Sequence, residues 1–471
     1  MAAKFGTSGL RGLVGDLTDG TAAAHARAFA RHLKSAGFVG EGAAVFIGRD
    51  MRASSPEIAA QCAAALFTEG LEPVDCGVVP TPALALHAMG EGAAALMVTG
   101  SHIPDDRNGV KFYRPDGEID KTDEAAISDL APECRRAQAT PRRMRDGSRE
   151  VTTGFIERYR GFAPDGLLRG MRIGLYEHSS AASGCLAAIL EAAEAEVVRL
   201  GKSDVFIPVD TEAVSDETRR LAAGWVDSEK LDALVSADGD GDRPLVVDEK
   251  GQVIRGDALG LIVARYLGAD AVVTPVTSNS GIERGCQAEV SRTRVGSPFV
   301  IAGMTEALAE GRQRVIGFEA NGGVLTGNPI KAGAVALDAL PTRDSALPIL
   351  CALAAARVAG HSLSAHVSDL RLPVAASDRI ENFPTATSQA LVAGLSNDAA
   401  ARDTFFEPLG TVANTDLTDG LRVTLEGGEI IHLRPSGNAP ELRVYSEAET
   451  EAQAHEVIER TIARIRQYTS T

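Results

Sequence analysis

Tryptophan occurs once in the 471 residues and aromatic side chains make up 4%, too few to build a platform on which nucleic-acid bases stack. Positive charge is also short. Lysine and arginine total 47 against 64 aspartates and glutamates, a net charge of −17. Binding a phosphate backbone needs the opposite balance, so nucleic acid is excluded as a partner. A small anionic substrate is not excluded, because it needs only a local basic cluster. The six cysteines (Cys62, Cys76, Cys134, Cys185, Cys286 and Cys351) contain no C-x-x-C pair, which argues against zinc sites and a disulfide framework. Most lie in alanine-rich apolar segments, where cysteine serves as a small hydrophobe. No apolar run approaches the ~20 residues of a membrane span. The opening Met1-Ala2-Ala3-Lys4-Phe5-Gly6 lacks the apolar stretch of a signal peptide. The expectation is a cytoplasmic protein with no membrane partner.

What is present is the material of a globular interior: 44% hydrophobic and 24% charged residues, over a length that suits about three domains. One pattern recurs along the chain. Ala43-Ala44-Val45-Phe46-Ile47 reads as a strand ending in Gly48-Arg49-Asp50. A helix follows, with Ser55 as its cap and Pro56 in its first turn. A strand near Val74-Asp75-Cys76, a helix after Pro82 and the apolar run 93–98 complete the unit. The same order returns from Met171, with a helix over 183–194 and strands at 196–198 and 231–235. It returns again from Ala271, with a strand at 293–295, a helix over 301–310 and a strand at 314–318. The last hundred residues differ. Residues 421–425 and 429–433 form a hairpin around Gly427-Gly428, another strand follows at 441–445, and a closing helix runs over 451–468 with Thr450 as its cap. The fold class is therefore α/β: three similar α/β domains with mixed sheets, plus a smaller C-terminal α+β domain with an antiparallel sheet. Boundaries fall at 1–145, 146–250, 251–365 and 366–471. The arginine-rich stretch 135–149 reads as a solvated linker.

Each repeated unit runs its third strand into a loop of different chemistry, and three like domains presenting three unlike loops suggest one composite site. The first loop is Val98-Thr99-Gly100-Ser101-His102-Ile103-Pro104, followed by residues 105–111, which are dense in charge and turn formers. The second is Asp238-Gly239-Asp240-Gly241-Asp242-Arg243. Its alternating carboxylates can converge on a hard cation such as Mg²⁺ or Ca²⁺. An EF-hand does not fit, because Arg243 stands where glycine is needed and a strand precedes the loop. A dehalogenase-type aspartate nucleophile fits poorly as well, with Asp242 in its Thr/Val place. The third loop is Glu319-Ala320-Asn321-Gly322-Gly323, whose carboxylate can accept two sugar hydroxyls or simply close a tight turn. Two further segments suit an anion or an ordinary turn equally: Gly6-Thr7-Ser8-Gly9-Leu10-Arg11-Gly12 and Arg434-Pro435-Ser436-Gly437-Asn438. Ser101 is a poor hydrolase nucleophile, since its surroundings are not G-x-S-x-G and His102 is its immediate neighbour. A phosphorylated serine beside a metal-bound aspartate trio makes better physical sense.

In combination these loops resemble the α-D-phosphohexomutase family over essentially the whole chain. The family's phosphoserine loop, T-A/G-S-H-N/I-P, matches residues 99–104, and its metal loop, D-G-D-G/A-D-R, matches 238–243. Its G-T-S/D-G-x-R-G matches 6–12, and its R-x-S-G-T/N-x-P-x-x-R matches 434–443. The resemblance implies that Ser101 carries a phosphoryl group, with Mg²⁺ held by Asp238, Asp240, Asp242 and an oxygen on Ser101. It implies a hexose 1- or 6-phosphate substrate, turned over through a hexose 1,6-bisphosphate that also serves as activator. Arg11, Lys111 and Arg243 would flank the reacting group, with Lys111 or His102 moving the proton. Glu319 and Asn321 would hold sugar hydroxyls. Thr7, Ser8, Arg434, Ser436, Gly437, Asn438 and Arg443 would complete the substrate site, and the fourth domain would close over it. One departure stands out. Many members carry G-E-x-S-G-H in the sugar loop, whereas Asn321 and Gly323 replace that serine and histidine here. The form Phe-Glu-Ala-Asn-Gly-Gly resembles the bacterial phosphomannomutase branch, some of whose members also accept glucose phosphates. Phosphoglucomutase activity is the nearest alternative, because a carboxylate on the 3- and 4-hydroxyls does not sense the 2-hydroxyl. A non-catalytic sugar-phosphate-binding paralogue is expected to have lost Ser101 or an aspartate. The expected assembly is a monomer or a homodimer.

Overall fold

Strands covered on both faces read as unbroken apolar runs, and those runs form the centres of three sheets. The computed structural model describes residues 3–6, 9–134, 143–332, 335–436 and 440–469. In the first sheet the Ala44–Arg49 strand lies between Glu72–Val78 and Ala94–Val98, all parallel, and Arg107–Arg114 then returns antiparallel beside Ala94–Val98. The second sheet repeats this order with Glu196–Lys202, Arg172–His178, Ala233–Ala237 and the antiparallel Pro244–Asp248. The third uses Glu289–Thr293, Ala271–Pro275, Val315–Phe318 and the antiparallel Val324–Thr326, with Leu340–Asp344 added at the edge. Every central third strand is fully buried. Each opens at its carboxyl end into one of the three unusual loops, the position where open α/β sheets present ligand sites.

The fourth sheet is antiparallel, ordered Val374–Ile380, Leu442–Ala448, Ile430–Pro435, Leu421–Leu425 and Val412–Asp416. Leu421–Leu425 alternates buried and half-buried residues, the mark of a sheet covered on one face. Phe405, Phe406 and Ile465 from the covering helices pack on that face with Leu421, Val423, Leu433 and Val444. Each such side chain contributes roughly 1.5–3 kcal/mol of burial. This core is separate from the largest one, which runs continuously from Phe46 and Tyr113 through Phe155, Leu175 and Val235 to Phe318 and Leu350. The first three sheets are thereby packed as a single body around the loops they carry. No helix among the described residues is long and apolar enough to cross a membrane.

Several local expectations shift. Residues 107–114 form a strand despite their polarity, because tertiary partners absorb the polar groups. Asn108 is buried and donates to the hydroxyls of Ser54 and Ser55. Ser55 does not cap its helix; its hydroxyl donates to Asp50 Oδ1 at 2.6 Å, and Ser54 takes the cap position. The edge strand expected at 293–295 lies at Glu289–Thr293, its register set by pairing with Ala271–Pro275. The helix expected from 301 starts at Ser297, with Pro298 in its first turn, where proline costs no hydrogen bond. The stretch 135–149 is not all linker: Arg145–Asp146 pairs at a sheet edge and Ser148–Phe162 is a helix, while 135–142 lie outside the described residues. The closing helix, Glu451–Thr469, has its expected cap. Gln453 N donates to Thr450 Oγ1 at 3.3 Å and Gln453 Oε1 accepts from Thr450 N at 3.0 Å, a reciprocal capping box.

Candidate active site

Ser101 sits at φ 55°, in the left-handed region that a non-glycine residue enters only when its surroundings hold it there. The holding groups come from the loop after Ala44–Arg49. Asp50 Oδ2 accepts from Thr99 Oγ1 at 2.8 Å, and Thr99 Oγ1 in turn accepts from Ser101 N at 2.7 Å. Arg52 is fully buried beside Asp50 and donates to four backbone carbonyls of the loop. Nη2 reaches Ser101 O (3.0 Å) and Ile103 O (2.6 Å), while Nη1 reaches Pro104 O (2.8 Å) and Arg107 O (3.1 Å). Its guanidinium also stacks on Phe206, 3.9 Å from the ring centroid. The loop is thus clamped, and the Ser101 hydroxyl is aimed by it.

Ser101 Oγ donates to Asp238 Oδ2 at 2.5 Å. The acidic loop that receives it needs its glycines. A Cβ on Gly239 would lie 2.7 Å from Ser101 O, and Gly241 has φ +73° with Ala182 against it. Asp238 Oδ1 accepts from the backbone N–H groups of Asp242 and Arg243. Thr81 Oγ1 donates to Asp240 Oδ2 at 2.5 Å, and Lys111 Nζ spans Asp240 Oδ2 and Asp242 Oδ2, both at 2.6 Å. All three aspartates are buried, and they offer one oxygen each within 4.8 Å of one another. Asp240 Oδ1 and Asp242 Oδ1 are buried with no hydrogen-bond partner among the described residues. Buried carboxylate oxygens left unpaired are costly, and an all-oxygen donor set suits a hard divalent cation. The residues therefore fit a bound metal.

The charges sort the site into unlike groups. Burial, with Asp240 and Asp242 adding to it, pushes the Asp238 carboxyl well above the usual range. Burial pushes Asp242 the same way, but Arg343, Lys111 and Arg243 overcome it and hold that carboxyl far below its ordinary value. Lys111 is raised: burial opposes its charge, and Asp240 and Asp242 win. His102 is lowered to about 3 by burial and then by Arg243, so it is neutral near pH 7. Its Nδ1 accepts from Arg243 Nη1 at 3.0 Å and lies 3.2 Å from Ser101 Oγ. Since arginine only donates, the ring proton belongs on Nε2, which faces Asp210 Oδ2 at 4.0 Å. Arg11, from the Leu10–Leu13 strand, is lowered to about 10 by burial and by Arg243 and Arg343, so it shares their field.

The third loop closes the same cleft. Glu319 and Asn321 are buried. Asn321 Nδ2 donates to Glu319 Oε2 at 3.4 Å, and Asn321 O accepts from Thr211 Oγ1 at 3.0 Å. Arg343, from the Leu340–Asp344 strand, donates to both Glu319 and Asp242. In the C-terminal domain Arg434 pairs with Asp419 (2.9 Å) and Arg443 with Glu441 (3.1 Å), while Ser436 is buried and donates its N–H to Glu441 O. Glu212 links this domain to the cleft electrostatically. The side chain is exposed, yet its carboxyl is raised by partial desolvation and by Asp210 against the pull of Arg243 and Arg443.

Of the residues expected from sequence, the structure brings Ser101, His102, Lys111, Arg243, Asp238, Asp240 and Asp242 into direct contact, with Glu319 joined to them through Arg343. Arg434 and Arg443 stand on a separate sheet, Ser436 lies just past its Ile430–Pro435 strand, and Thr7, Ser8, Gly437 and Asn438 lie outside the described residues. Sequence reasoning missed Arg52, Thr81, Asp210 and Arg343. The signal for two of them was present: a charged residue just past a buried strand (Asp50-Met51-Arg52) and Arg343-Asp344 directly before the apolar run 346–356.

The chain matches three family models, described as phosphoglucomutase/phosphomannomutase, alpha/beta/alpha domain I over residues 2–136, alpha/beta/alpha domain III over 255–372 and the C-terminal domain over 372–464. A phosphomannomutase of Sinorhizobium fredii is 54% identical over 98% of both chains. A phosphomannomutase of Salmonella muenchen is 41% identical over 98% of this chain and 95% of its own. Among solved structures, a phosphoglucomutase/phosphomannomutase family protein from Burkholderia thailandensis shares the fold, with TM-score 0.78 and 21% identity over 98% of this chain and 97% of that one. The chain accordingly belongs to the phosphoglucomutase/phosphomannomutase family of phosphohexomutases, in its phosphomannomutase branch, and is an intramolecular phosphotransferase.

Proposed function

We propose that this enzyme interconverts mannose 6-phosphate and mannose 1-phosphate through a phosphoserine at Ser101 and a hexose 1,6-bisphosphate intermediate, and that it also accepts glucose phosphates. The observation that carries the reading is the Ser101 hydroxyl, clamped in a strained conformation and donating to Asp238, one of three clustered buried aspartates. The two phosphomannomutase relatives support mannose as the sugar. In one half-reaction a hydroxyl oxygen of the hexose phosphate bonds to phosphorus, the bond from phosphorus to Ser101 Oγ breaks, and Oγ leaves with the electron pair. The attacking hydroxyl loses its proton and Oγ gains one, ending as the serine hydroxyl, and His102, 3.2 Å from Oγ, is the neighbour placed to relay that proton. Lys111, an ammonium salt-bridged to two buried carboxylates, supplies charge and not a base. The bisphosphate then turns over within the site, and the reverse step returns its other phosphate to Oγ. Asp238, Asp240 and Asp242, with a phosphoserine oxygen, would hold Mg²⁺, which would supply positive charge against the phosphoryl and leaving oxygens.

Arg11 and Arg243 flank the transferred group. Glu319 and Asn321 accept and donate to sugar hydroxyls in either orientation. Thr7, Ser8, Arg434, Ser436, Gly437, Asn438 and Arg443 hold the rest of the substrate, chiefly its distal phosphate. The division at 1–145, 146–250, 251–365 and 366–471 belongs to this reading, with the fourth part closing over the ligand. So does action on a free small molecule in the cytoplasm, as a monomer or homodimer, with a hexose 1,6-bisphosphate as activator.

The test is kcat/KM for mannose 1-phosphate and glucose 1-phosphate with Mg²⁺ and a hexose 1,6-bisphosphate present, alongside Ser101→Ala. Comparable values for the two sugars are expected, because Glu319 does not sense the 2-hydroxyl. Ser101→Ala should lose turnover by orders of magnitude while binding hexose phosphate, since only the phosphoryl carrier is removed. Near-normal turnover in that variant would sink the phosphoserine mechanism.

A further inference from the structure

Arg343 carries no part of the chemistry described so far, yet it is the side chain on which the acidic loop and the sugar loop meet. It is 3% exposed and forks between them. Nε and Nη2 donate to Asp242 Oδ2 at 3.1 and 2.8 Å, and Nη1 donates to Glu319 Oε2 at 3.0 Å. Both carboxylates are left in the same condition. Asp242 Oδ2 also takes Lys111, while Asp242 Oδ1 accepts no hydrogen bond from a described residue and lies 3.6 Å from Arg243 Nε; Glu319 Oε2 also takes Asn321, and no described residue donates to Oε1. One oxygen of each carboxylate is thus saturated from behind, and its twin is left for a ligand. A planar guanidinium makes these two connections from separate nitrogens held at fixed geometry, whereas an ammonium has one nitrogen to share between its partners.

The strand that carries Arg343 is itself fixed on both sides. Thr342 Oγ1 donates to Glu118 Oε1 of the first sheet at 2.6 Å, and Glu118 Oε2 accepts from Ser297. Asp344 is bonded by Tyr159, from the Ser148–Phe162 helix. Room for the guanidinium stem comes from Gly323, since a Cβ there would lie 2.7–2.8 Å from Cβ, Cγ and Cδ of Arg343. The arginine stays charged, because Asp242 and Glu319 outweigh burial and raise it well above its ordinary value.

We propose that Arg343 is a positioning residue for both halves of the site, holding the rear oxygens of Asp242 and Glu319 so that their front oxygens meet the cation and the sugar together. This rests on the roles given to Asp242 and Glu319 under the proposed function. Its consequence is that metal binding and sugar binding share one support, so a single perturbation weakens both.

The experiment compares Arg343→Met, Arg343→Lys, Gly323→Ala and Glu319→Gln with the unaltered enzyme. Three readouts are taken on each: Mn²⁺ affinity by direct titration without substrate, KM and kcat for mannose 1-phosphate, and the melting temperature. Arg343→Met should weaken Mn²⁺ binding roughly 10-fold or more, the usual effect of losing the partner of a metal-ligating carboxylate. It should also raise KM about 10-fold or more, from loss of a charge-assisted hydrogen bond to Glu319. Arg343→Lys keeps the charge and should restore no more than one of the two. Gly323→Ala displaces Arg343 without changing any charge and should give the same joint loss in smaller measure. The proposal is overturned if Arg343→Met lowers the melting temperature while Mn²⁺ affinity and KM of the folded enzyme stay put, or if only one of the two ligands is affected. Glu319→Gln separates this from the underlying reading. If it leaves KM unchanged, the sugar role of Glu319 fails and the inference loses its basis. If it raises KM while Arg343→Met does not, the role of Arg343 alone fails.

Discussion

Replacing Arg52 by methionine tests whether the serine loop is aimed or merely present. The methionine keeps an apolar stem near Phe206, on whose ring the guanidinium stacks, and removes the charge and all five donated contacts. Asp50 is then a buried carboxylate without its cation, and four loop carbonyls lose their donor. Breaking a buried pair in this way costs about 3–5 kcal/mol. In a cooperative unit of this size that lowers the melting temperature by roughly 5 °C. The second effect is on chemistry. Ser101 is held at φ 55° by bonds that converge from Asp50, Thr99 and Arg52. With Arg52 gone the loop can relax toward ordinary backbone angles and carry Oγ away from Asp238. A displacement near 1 Å is enough to cost about 100-fold in rate. The assay is differential scanning calorimetry together with steady-state kinetics on mannose 1-phosphate, at a temperature where the variant is folded. The expected pattern is a large fall in kcat with KM changed much less, since no substrate contact is removed. Arg52→Lys should recover part of the stability through Asp50 but little of kcat, because an ammonium cannot reach four carbonyls. A folded Arg52→Met enzyme with unaltered kcat would refute the positioning argument, and an unaltered melting temperature would refute the energetics.

Two further outcomes bear on other parts of the molecule. Dialysis against a chelator should abolish turnover, and Asp240→Asn should raise the Mg²⁺ concentration for half-maximal activity at least 10- to 100-fold, because Asp240 Oδ1 is a buried oxygen with no hydrogen-bond partner among the described residues; full turnover after chelation would contradict the metal reading. Stability should decline as pH falls below neutral, because burial holds His178 and His432 neutral with pKa values down to about 4. Unfolded imidazoles take up protons near pH 6.5 while these two do not, so the stability they confer is present above that pH and is lost as pH falls toward 4. The loss is roughly 1.4 kcal/mol per histidine by pH 5.5. His432→Gln should flatten the dependence of melting temperature on pH between 7 and 5.5, and an unchanged slope would count against it.

The loops that carry the chemistry were legible in the sequence because their spacing is a local matter. Alternating aspartates and glycines after an apolar strand can converge only as a turn, and Gly239 and Gly241 are there because the backbone of Ser101 and the Ala182 side chain come too close for any Cβ. The threefold strand order was legible for a related reason: strands buried on both faces must be continuously apolar, as Ala94–Val98 and Ala233–Ala237 are. Residues 107–114 were not legible as a strand. Their Asn, Gly and Lys read as a turn until Ser54, Ser55 and the aspartates of another sheet arrive to satisfy them. The same holds for Arg52 and Arg343. A buried guanidinium is stable only where acceptors distant in sequence converge on it. Arg52 finds Ser101 carbonyl 49 residues away, and Arg343 finds Asp242 101 residues away. Sequence alone determined which unusual loops follow the buried third strands and which sheets present them. Tertiary structure alone decided what holds those residues still, because the partners of a buried charge are chosen by packing and leave no periodic trace in the chain.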